Sequence, residues 1–167
     1  MKSSGKILSP TMNRYQSVAL FNPVHDSLVP FRIIDLDRDS LADMVDNYRD
    51  IVQNLRLIKH PGENRWSPKG EKWSEALLGE DDKGRILFIF CRSPYTMYDL
   101  NEILLSLPIN LSAAQHLEGG PEAQMSISHI SARLELFGSY ETGFILNDGN
   151  FSAWPIPNII GISKKAE

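Results

Sequence analysis

The sequence predicts an α+β fold, a single domain with a central mixed β-sheet flanked by a few helices. Short apolar runs bounded by turn residues recur along the chain, and such runs are typical of strands. Two segments instead space their apolar residues as a helix does. The sequence contains no internal repeat and no linker-like interior stretch, so one domain is the simplest organisation.

Two apolar runs near the amino terminus predict strands at residues 18–21 and 31–36. Asparagine and proline follow the first run and acidic turn residues close the second, as is usual at strand ends. The residues that precede both runs are mostly small and polar. We therefore expect residues 1–14 to form a flexible segment and residues 15–167 to form the domain.

The next segments differ in their apolar pattern. Residues 40–47 begin with a serine, which caps helices well, and carry apolar side chains at helical spacing, so a short helix is expected. Residues 51–58 fit neither strict alternation nor a helical stripe, and we interpret them as a strand that carries polar groups. A long connection anchored by Trp66 and Trp73 follows, and long connections are often functional.

The middle of the chain contains the clearest hairpin. Strands are predicted at residues 75–78 and 85–91, and the second is apolar throughout, which favours a central position in the sheet. Residues 99–107 have apolar side chains at i, i+3, i+4 and i+7 before a proline and predict an amphipathic helix. Further strands are expected at residues 124–128 and 158–163.

Composition and charge argue against several function classes. The 17 basic and 21 acidic side chains give a net charge of −4, which disfavours nucleic acid as a partner. No apolar run is long enough for a membrane-spanning helix, and no secretion signal is present, so the chain as written predicts a cytoplasmic protein. The four histidines lack metal-ligand spacing and the one cysteine, Cys91, is expected to be a buried, inert thiol. Neither a metal nor another cofactor is predicted.

The most informative motif is a glycine turn between two carboxylates, Glu118-Gly119-Gly120-Pro121-Glu122. Adjacent glycines let a ligand approach the backbone, although taken alone the turn is also explained as a strand-to-helix connection. Glycoside hydrolysis uses one carboxylic acid to protonate the leaving oxygen and a second carboxylate to attack or to activate water. Neighbouring carboxylates also raise one pKa, as a general acid requires. Glu118 and Glu122 are therefore the catalytic candidates, with Gly119 and Gly120 as binding candidates.

A second group of polar residues lies inside the predicted strand at residues 51–58. Gln53, Asn54 and Arg56 place several hydrogen-bond donors in an apolar run, where an unpaired polar group is costly. They either form an internal network that fixes the sheet or bind substrate.

A third group follows the second strand of the hairpin, where open sheets place ligands. It consists of Arg92, Ser93 and Tyr95. The Arg92 guanidinium suits an anion, and the alternative for it is an ion pair with Asp99 at the rim of the domain.

Six strings together carry a family resemblance: residues 53–58, Trp66 with Trp73, and residues 84–89, 92–95, 117–123 and 157–162. They resemble the phosphodiester glycosidase family, which contains a lysosomal enzyme that removes N-acetylglucosamine from a sugar phosphodiester. The resemblance covers roughly residues 30–163, and its most specific parts are the acidic-Gly-Gly turn and the closing Pro-Asn-Ile-Ile-Gly string. By this resemblance the chain is identified as a bacterial, N-terminally short member.

The resemblance implies a glycosidase-type hydrolase that releases a sugar from a sugar phosphodiester or related glycoside. It places Glu118 in the active site, with Arg92, Arg56 and Gln53 as groups that bind a carbohydrate or sugar-phosphate substrate. Members of the family are often exported.

Two departures from the family pattern keep alternatives open. Many members read Asp-Gly-Gly-Gly-Ser-Ser at the turn, whereas Pro121 here supplies no backbone N–H and Glu122 adds negative charge. Any phosphate is then held chiefly by arginine. Domains of the family also usually carry further strands before the region of resemblance, and residues 1–30 are too short to supply them. The chain is therefore also interpreted as a non-catalytic carbohydrate or cell-envelope polymer binding domain, or as an incomplete domain that forms a homo-oligomer.

Overall fold

The computed structural model describes residues 1–164, and across them the chain is mainly β. Two five-stranded sheets, a two-stranded sheet and one α-helix make up the described part, and every strand pair is antiparallel. The predicted α+β architecture with a central mixed sheet and flanking helices is therefore wrong. The last three residues of the predicted 15–167 domain lie outside the described residues.

The first sheet contains the amino-terminal strands. Its members are β1 (Lys2–Ser3), β2 (Lys6–Ile7), β3 (Ser17–Pro23), β4 (Phe31–Asp35) and β5 (Tyr48–Asn54). They lie in the order β2-β1-β5-β3-β4. The strands predicted at residues 18–21 and 31–36 are confirmed as β3 and β4, and the segment 1–14 contributes β1 and β2 to the sheet edge.

The second sheet contains the middle of the chain. Its members are β6 (Arg56–Lys59), β7 (Glu63–Asn64), β8 (Lys72–Asp81), β9 (Ile86–Thr96) and β10 (Leu111–Gly119). They lie in the order β7-β6-β10-β8-β9. The predicted hairpin is confirmed as β8 and β9, but β9 is an edge strand rather than a central one. Its residues 86–91 are apolar because alternate side chains pack on opposite faces, Leu87 and Ile89 on the helix-facing side and Ile86 and Phe88 in the interface between the sheets.

The α-helix found among the described residues, α1 (Met97–Ser106), follows β9 directly. The Thr96 hydroxyl accepts a hydrogen bond from the Asp99 N–H at 3.1 Å, which caps the helix, and Asp99 places a negative charge in the first turn. The helix predicted at residues 99–107 is therefore confirmed with shifted ends. None of the helices within residues 1–164 is long and apolar enough to cross a membrane.

The two large sheets pack face to face, because alternate residues of each strand point into the shared interface. Ala19, Phe31 and Ile33 of the first sheet meet Leu78 and Ala113 of the second. The opposite face of the second sheet is covered by α1. A buried carboxylate also joins the sheets, since the Ile33 N–H donates to Glu80 at 2.5 Å.

Two predicted elements differ in the structure. Residues 40–47 form turns instead of a helix, and their apolar side chains cover the outer face of the first sheet. Residues 158–163 form no strand. The strand expected at 124–128 is confirmed as β11 (Gln124–His129), which pairs with the unpredicted β12 (Ala132–Phe137) in a separate hairpin.

Candidate active site

A buried carboxylate and a histidine lie side by side on the helix-facing side of the second sheet. Glu75 of β8 is fully buried, and its Oε1 lies 2.7 Å from Nδ1 of His116 on the neighbouring β10. The Trp73 indole N–H donates to the other carboxylate oxygen at 2.5 Å. Both oxygens of Glu75 are therefore satisfied, as a buried carboxylate requires.

Burial and charge act on this pair in opposite directions. Burial raises the pKa of Glu75, while His116 and the Trp73 N–H oppose that change. Burial alone would lower the pKa of His116, but the adjacent Glu75 carboxylate, with Glu118 and Glu141 farther out, raises it. The imidazole therefore carries its proton to higher pH than an ordinary histidine.

The two tryptophans of the long connection frame this pair. The rings of Trp66 and Trp73 meet edge to face with centroids 6.3 Å apart, and Trp73 meets the His116 ring in the same manner at 6.5 Å. Trp66 is itself fixed, because its indole N–H donates to the Arg56 carbonyl at 2.8 Å. A continuous aromatic surface thus runs from the Glu75–His116 pair toward β6.

The glycine turn lies at the end of β10, directly beyond this pair. Gly120 has φ +59°, a conformation that favours glycine, and a Cβ on it would meet the Glu141 side chain. A Cβ on Gly119 would lie 2.8 Å from Trp73 Cδ1. A 3-10 turn, Gly120–Glu122, follows β10. The two glycines are needed because the backbone is packed against side chains of two other segments.

Glu141 reaches the turn because its segment pairs with β8 at the place where β10 ends. Beyond Gly119 the strand leaves the sheet, and the segment around Glu141 takes its place beside the start of β8. The Ser74 N–H donates to the Tyr140 carbonyl at 2.9 Å, and the Thr142 N–H donates to the Lys72 carbonyl at 2.9 Å. Glu141 therefore packs against Gly120 by backbone pairing.

Three carboxylates consequently surround the glycine turn: Glu118, Glu122 and Glu141. Partial burial raises the pKa of Glu118, and the Glu122 charge adds to the shift while His116 opposes it. Partial burial likewise raises the pKa of Glu141, with the charges of Glu122 and Glu71 acting in the same direction. Glu118 and Glu141 therefore hold a proton to higher pH than exposed glutamates.

The predicted binding residue Arg92 lies near this cluster but faces another partner. Its guanidinium donates to the carbonyls of Phe137, Asp148 and Asn150 at 2.5, 3.1 and 2.9 Å, and it forms a 2.8 Å ion pair with the Asp148 carboxylate. The Ser139 hydroxyl bonds the same carboxylate. Arg92 thus fastens the segment that follows Glu141. Its predicted alternative partner, Asp99, accepts instead from Thr96.

The side chains of Gln53 and Asn54 form hydrogen bonds with backbone groups of other segments. The Gln53 side chain exchanges hydrogen bonds of 2.8 and 2.9 Å with the backbone of Met12 and donates to the Tyr15 carbonyl at 2.9 Å. The Asn54 amide donates to the Leu117 carbonyl at 3.3 Å, which ties β5 to β10. These contacts match the internal network that was one of the two interpretations of this run.

The remaining predicted binding residues are Arg56, Ser93 and Tyr95. Arg56 pairs with Asp35 and Asp37 at 3.4 and 3.0 Å and lines a groove beside Trp66. Ser93 and Tyr95 are exposed near the end of β9, and Tyr95 pairs with Trp73 in the sheet register. Cys91 of the same strand is half-buried, and burial raises the pKa of its thiol.

Sequence reasoning missed Glu75, His116 and Glu141. The signal for the first two was present, since each is a titratable residue next to apolar residues of its strand. Glu141 gave no such signal, because its place depends on the pairing of residues 140–142 with β8. Within the described ranges no group of three or more His, Cys, Asp or Glu side chains is arranged to hold a metal ion.

The sequence profile of the phosphodiester glycosidase family matches residues 1–163, nearly the whole chain. The chain belongs to the phosphodiester glycosidase family. The match begins upstream of the residues on which the resemblance rested, so β1 to β3 lie within the phosphodiester glycosidase domain. A comparison with curated proteins gives no match.

Proposed function

We propose that this phosphodiester glycosidase domain is a hydrolase that releases a sugar from a sugar phosphodiester or a related glycoside. The observation that carries the proposal is the cluster of Glu118, Glu122 and Glu141 around the Gly119-Gly120 turn, with the pKa of Glu118 raised. A glycosidase needs one carboxyl group that keeps its proton and a second that is ionised, and this cluster supplies candidates for both.

In this proposal Glu118 is the general acid. It donates its proton to the oxygen that joins the anomeric carbon to the leaving group, and the electron pair of the breaking C–O bond stays on that oxygen. Glu122 either attacks the anomeric carbon or takes a proton from a water molecule that attacks it. The products from a phosphodiester are the free sugar and a phosphate monoester.

Glu141 and His116 have supporting roles. Glu141 is held by the backbone pairing of its segment and is placed to accept hydrogen bonds from sugar hydroxyls. The His116 imidazole, held by Glu75, places a positive charge beside Glu118. A proton on Glu118 or Glu141 also lessens the repulsion between this acidic cluster and a phosphodiester anion.

Sugar release from a panel of sugar-1-phosphodiesters and aryl glycosides tests the proposal, with Glu118→Gln as the variant. Glu135→Gln, an exposed position on β12, is the matched control. We expect turnover by the wild type and the control, and a loss of about 10²–10⁴-fold in Glu118→Gln on the aryl glycoside with the poorest leaving group. The loss should shrink as the leaving group improves, because a good leaving group needs less protonation.

Two outcomes would contradict the proposal. Turnover of every substrate by Glu118→Gln at the wild-type rate would remove Glu118 from the chemistry, since an amide neither donates that proton nor attacks. Saturable sugar binding by the folded wild type without any product would instead favour the non-catalytic binding domain.

A further inference from the structure

The hairpin of β11 and β12 forms a sheet of its own, separate from the two large sheets. Among the described residues each of its strands pairs with the other and with no further strand. A two-stranded hairpin alone is marginally stable in water, and its outer edges leave backbone N–H and C=O groups unpaired. This hairpin therefore offers an edge to which a further strand can add.

One face of the hairpin is apolar although it is exposed. Leu134 lies directly opposite Ile127 in the register, and the two residues are 44% and 42% exposed. Side chains alternate between the two faces of a strand, so Glu135 points to the opposite face, where it accepts a hydrogen bond from the Ser126 hydroxyl at 2.9 Å. The hairpin is thus amphipathic, and the centre of its apolar face lies in solvent.

The backbone groups of Arg133 and Glu135 point away from β11. Gly138, just beyond β12, donates its N–H to the residue before β11, so every second residue counted back from Gly138 bonds to β11 and the alternate residues face outward. In agreement with this alternation, the Phe137 carbonyl accepts from the Arg92 side chain instead of from β11. The outer edge of β12 is therefore occupied at Phe137 and open along Arg133 and Glu135.

The charges on this open edge are self-complementary. If β12 pairs antiparallel with β12 of a second copy about a twofold axis at Leu134, Arg133 lies opposite Glu135 of the copy, and the reverse. Their own ion pair is long, at 3.9 Å, and the side chains are 83% and 42% exposed, so each is available to a new partner. A slide of two residues in either direction would set like charges opposite each other. The charges therefore select one register.

The same register extends the apolar face. With Leu134 on the axis, Ile127 and Leu134 form one row with the same two residues of the second copy. Directly opposite side chains on paired strands have Cβ atoms about 4.5–5.5 Å apart, close enough for contact. Leu134 of each copy would then contact an apolar side chain on both sides. The charge pairs and the apolar row agree on a single arrangement.

We propose that the outer edge of β12 pairs with β12 of a second copy of this chain, so that the two hairpins form a four-stranded antiparallel sheet in a homodimer. Arg133 and Glu135 each donate an N–H and accept at the carbonyl across the axis. The carboxylates Glu118, Glu122 and Glu141 of the proposed hydrolytic site all belong to one chain. The dimer therefore does not rest on the proposed function, and variants of β12 should release sugar as the wild type does.

Sedimentation equilibrium of the full chain over a range of concentrations tests this pairing. We expect a monomer–dimer equilibrium with a Kd on the order of 10 µM, because one short strand pair is a small interface. Arg133→Glu should weaken dimerisation at least about tenfold, since like charges then face each other across the axis. The double variant Arg133→Glu/Glu135→Arg should restore it, because the two charges exchange places. Lys83→Glu, at an exposed turn position, alters the net charge by the same amount and should dimerise as the wild type does.

Disulfide trapping locates the axis. Leu134→Cys places a thiol at the axis, where Cα atoms of a non-hydrogen-bonded pair lie about 4.5 Å apart, within the range of a disulfide. Oxidation should therefore give a covalent dimer. Ser128→Cys, exposed on β11, is the matched control and should not cross-link, because both β12 strands would separate it from its copy. The unaltered chain shows what the half-buried Cys91 contributes.

Each other outcome overturns the inference. A mass of one chain at every concentration up to about 500 µM would exclude the dimer. Wild-type dimerisation of Arg133→Glu, or a double variant that stays monomeric although circular dichroism shows that it is folded, would remove the charge pairing. Equal cross-linking of the two cysteine variants would place the interface elsewhere. A dimer without sugar release would reject the proposed function alone, whereas a monomer that releases sugar would reject this inference alone.

Discussion

Among single residues, Glu75 has the strongest structural constraint in the site. Its carboxylate is fully buried, and it holds both the Trp73 indole and the His116 imidazole. Removing one member of a buried pair leaves the other buried group without a partner, which costs more than the pair itself contributes. Glu118, by contrast, is only partly buried and its carboxyl group is accessible to a substrate.

Glu75→Ala should therefore lower the free energy of unfolding by about 3–5 kcal/mol. Glu75→Gln should cost less, because its amide oxygen still accepts from the Trp73 indole. Glu118→Gln, at an exposed position, should change stability by less than about 0.5 kcal/mol. Urea denaturation followed by tryptophan fluorescence measures all three, and equal stabilities of Glu75→Ala and Glu118→Gln would show that the buried pair has no structural role.

His116 should make stability depend on pH. Its folded-state pKa is raised above the ordinary value of 6.5, so its contribution is fully present below pH 6.5 and is lost as pH rises through the folded pKa. The pKa of Glu75 is also raised, so its contribution to stability is likewise lost as pH rises above its ordinary pKa of 4.5. We expect His116→Gln to weaken the decline above pH 6.5, because only the contribution of Glu75 then remains, whereas His129→Gln on the exposed hairpin keeps the wild-type decline. Urea midpoints across this range provide the measurement, and a wild-type slope in His116→Gln would be inconsistent with the pairing.

Among structural elements, the end of β10 and the segment that replaces it determine the arrangement of the carboxylates. Gly120 allows the chain to leave the sheet, and residues 140–142 then pair with β8 and bring Glu141 against the turn. Arg92 of β9 fastens the chain beyond Glu141. The site is thus built where three segments meet.

Gly120→Ala tests this arrangement against a matched control, Gly143→Ala. Both glycines have positive φ, but a Cβ on Gly143 meets nothing within 4 Å, whereas one on Gly120 would lie 3.0 Å from Glu141 Cβ. We expect about 1–2 kcal/mol of destabilisation in the control from the backbone conformation alone. Gly120→Ala should add about 1–3 kcal/mol and lower sugar release by displacing Glu141. Equal values for both variants in thermal unfolding and activity would contradict the close packing of the turn.

Arg92→Gln should loosen the segment that carries Glu141. The variant loses the ion pair with Asp148 and the bonds to the carbonyls of Phe137 and Asn150. Amide hydrogens in residues 139–150 should exchange faster, while those of α1 exchange as before. Hydrogen exchange read by mass spectrometry measures the change, with Arg133→Gln as the control. Unchanged exchange in this segment combined with weaker substrate binding would instead support Arg92 as an anion-binding residue.

At the scale of the whole molecule, the residues that stabilise the fold and the residues proposed to act on a substrate lie in different regions. The interface between the two large sheets is apolar and carries the structural polar contacts of Asn54 and Glu80. The titratable cluster lies outside this interface, at the end of the second sheet that α1 also covers. Substitutions in the cluster can therefore alter activity without disrupting the hydrophobic core between the sheets.

The sequence contained enough information for most strands but not for their arrangement. Apolar runs identified β3, β4, β8, β9 and β11, whereas β12 was missed although Leu134 and Leu136 alternate with Glu135. The helix expected at 40–47 failed because a cap and three apolar residues also suit a turn that covers a sheet. Glu118, Glu122 and the two glycines do lie together, because they are adjacent in the chain. Glu141 and the pairing of Glu75 with His116 depend on contacts across strands, which local patterns do not specify.

The most direct test of this account is the pH dependence of kcat/KM for sugar release, compared between the wild type and Glu118→Gln on the best substrate of the panel. We predict a bell-shaped wild-type profile, because one carboxylate must be ionised and the Glu118 carboxyl must hold its proton. The variant should be slower and should lose the decline at high pH. A folded wild type that releases no sugar, or a variant whose profile matches the wild type, would contradict the assignment of the carboxylate cluster as the hydrolytic site.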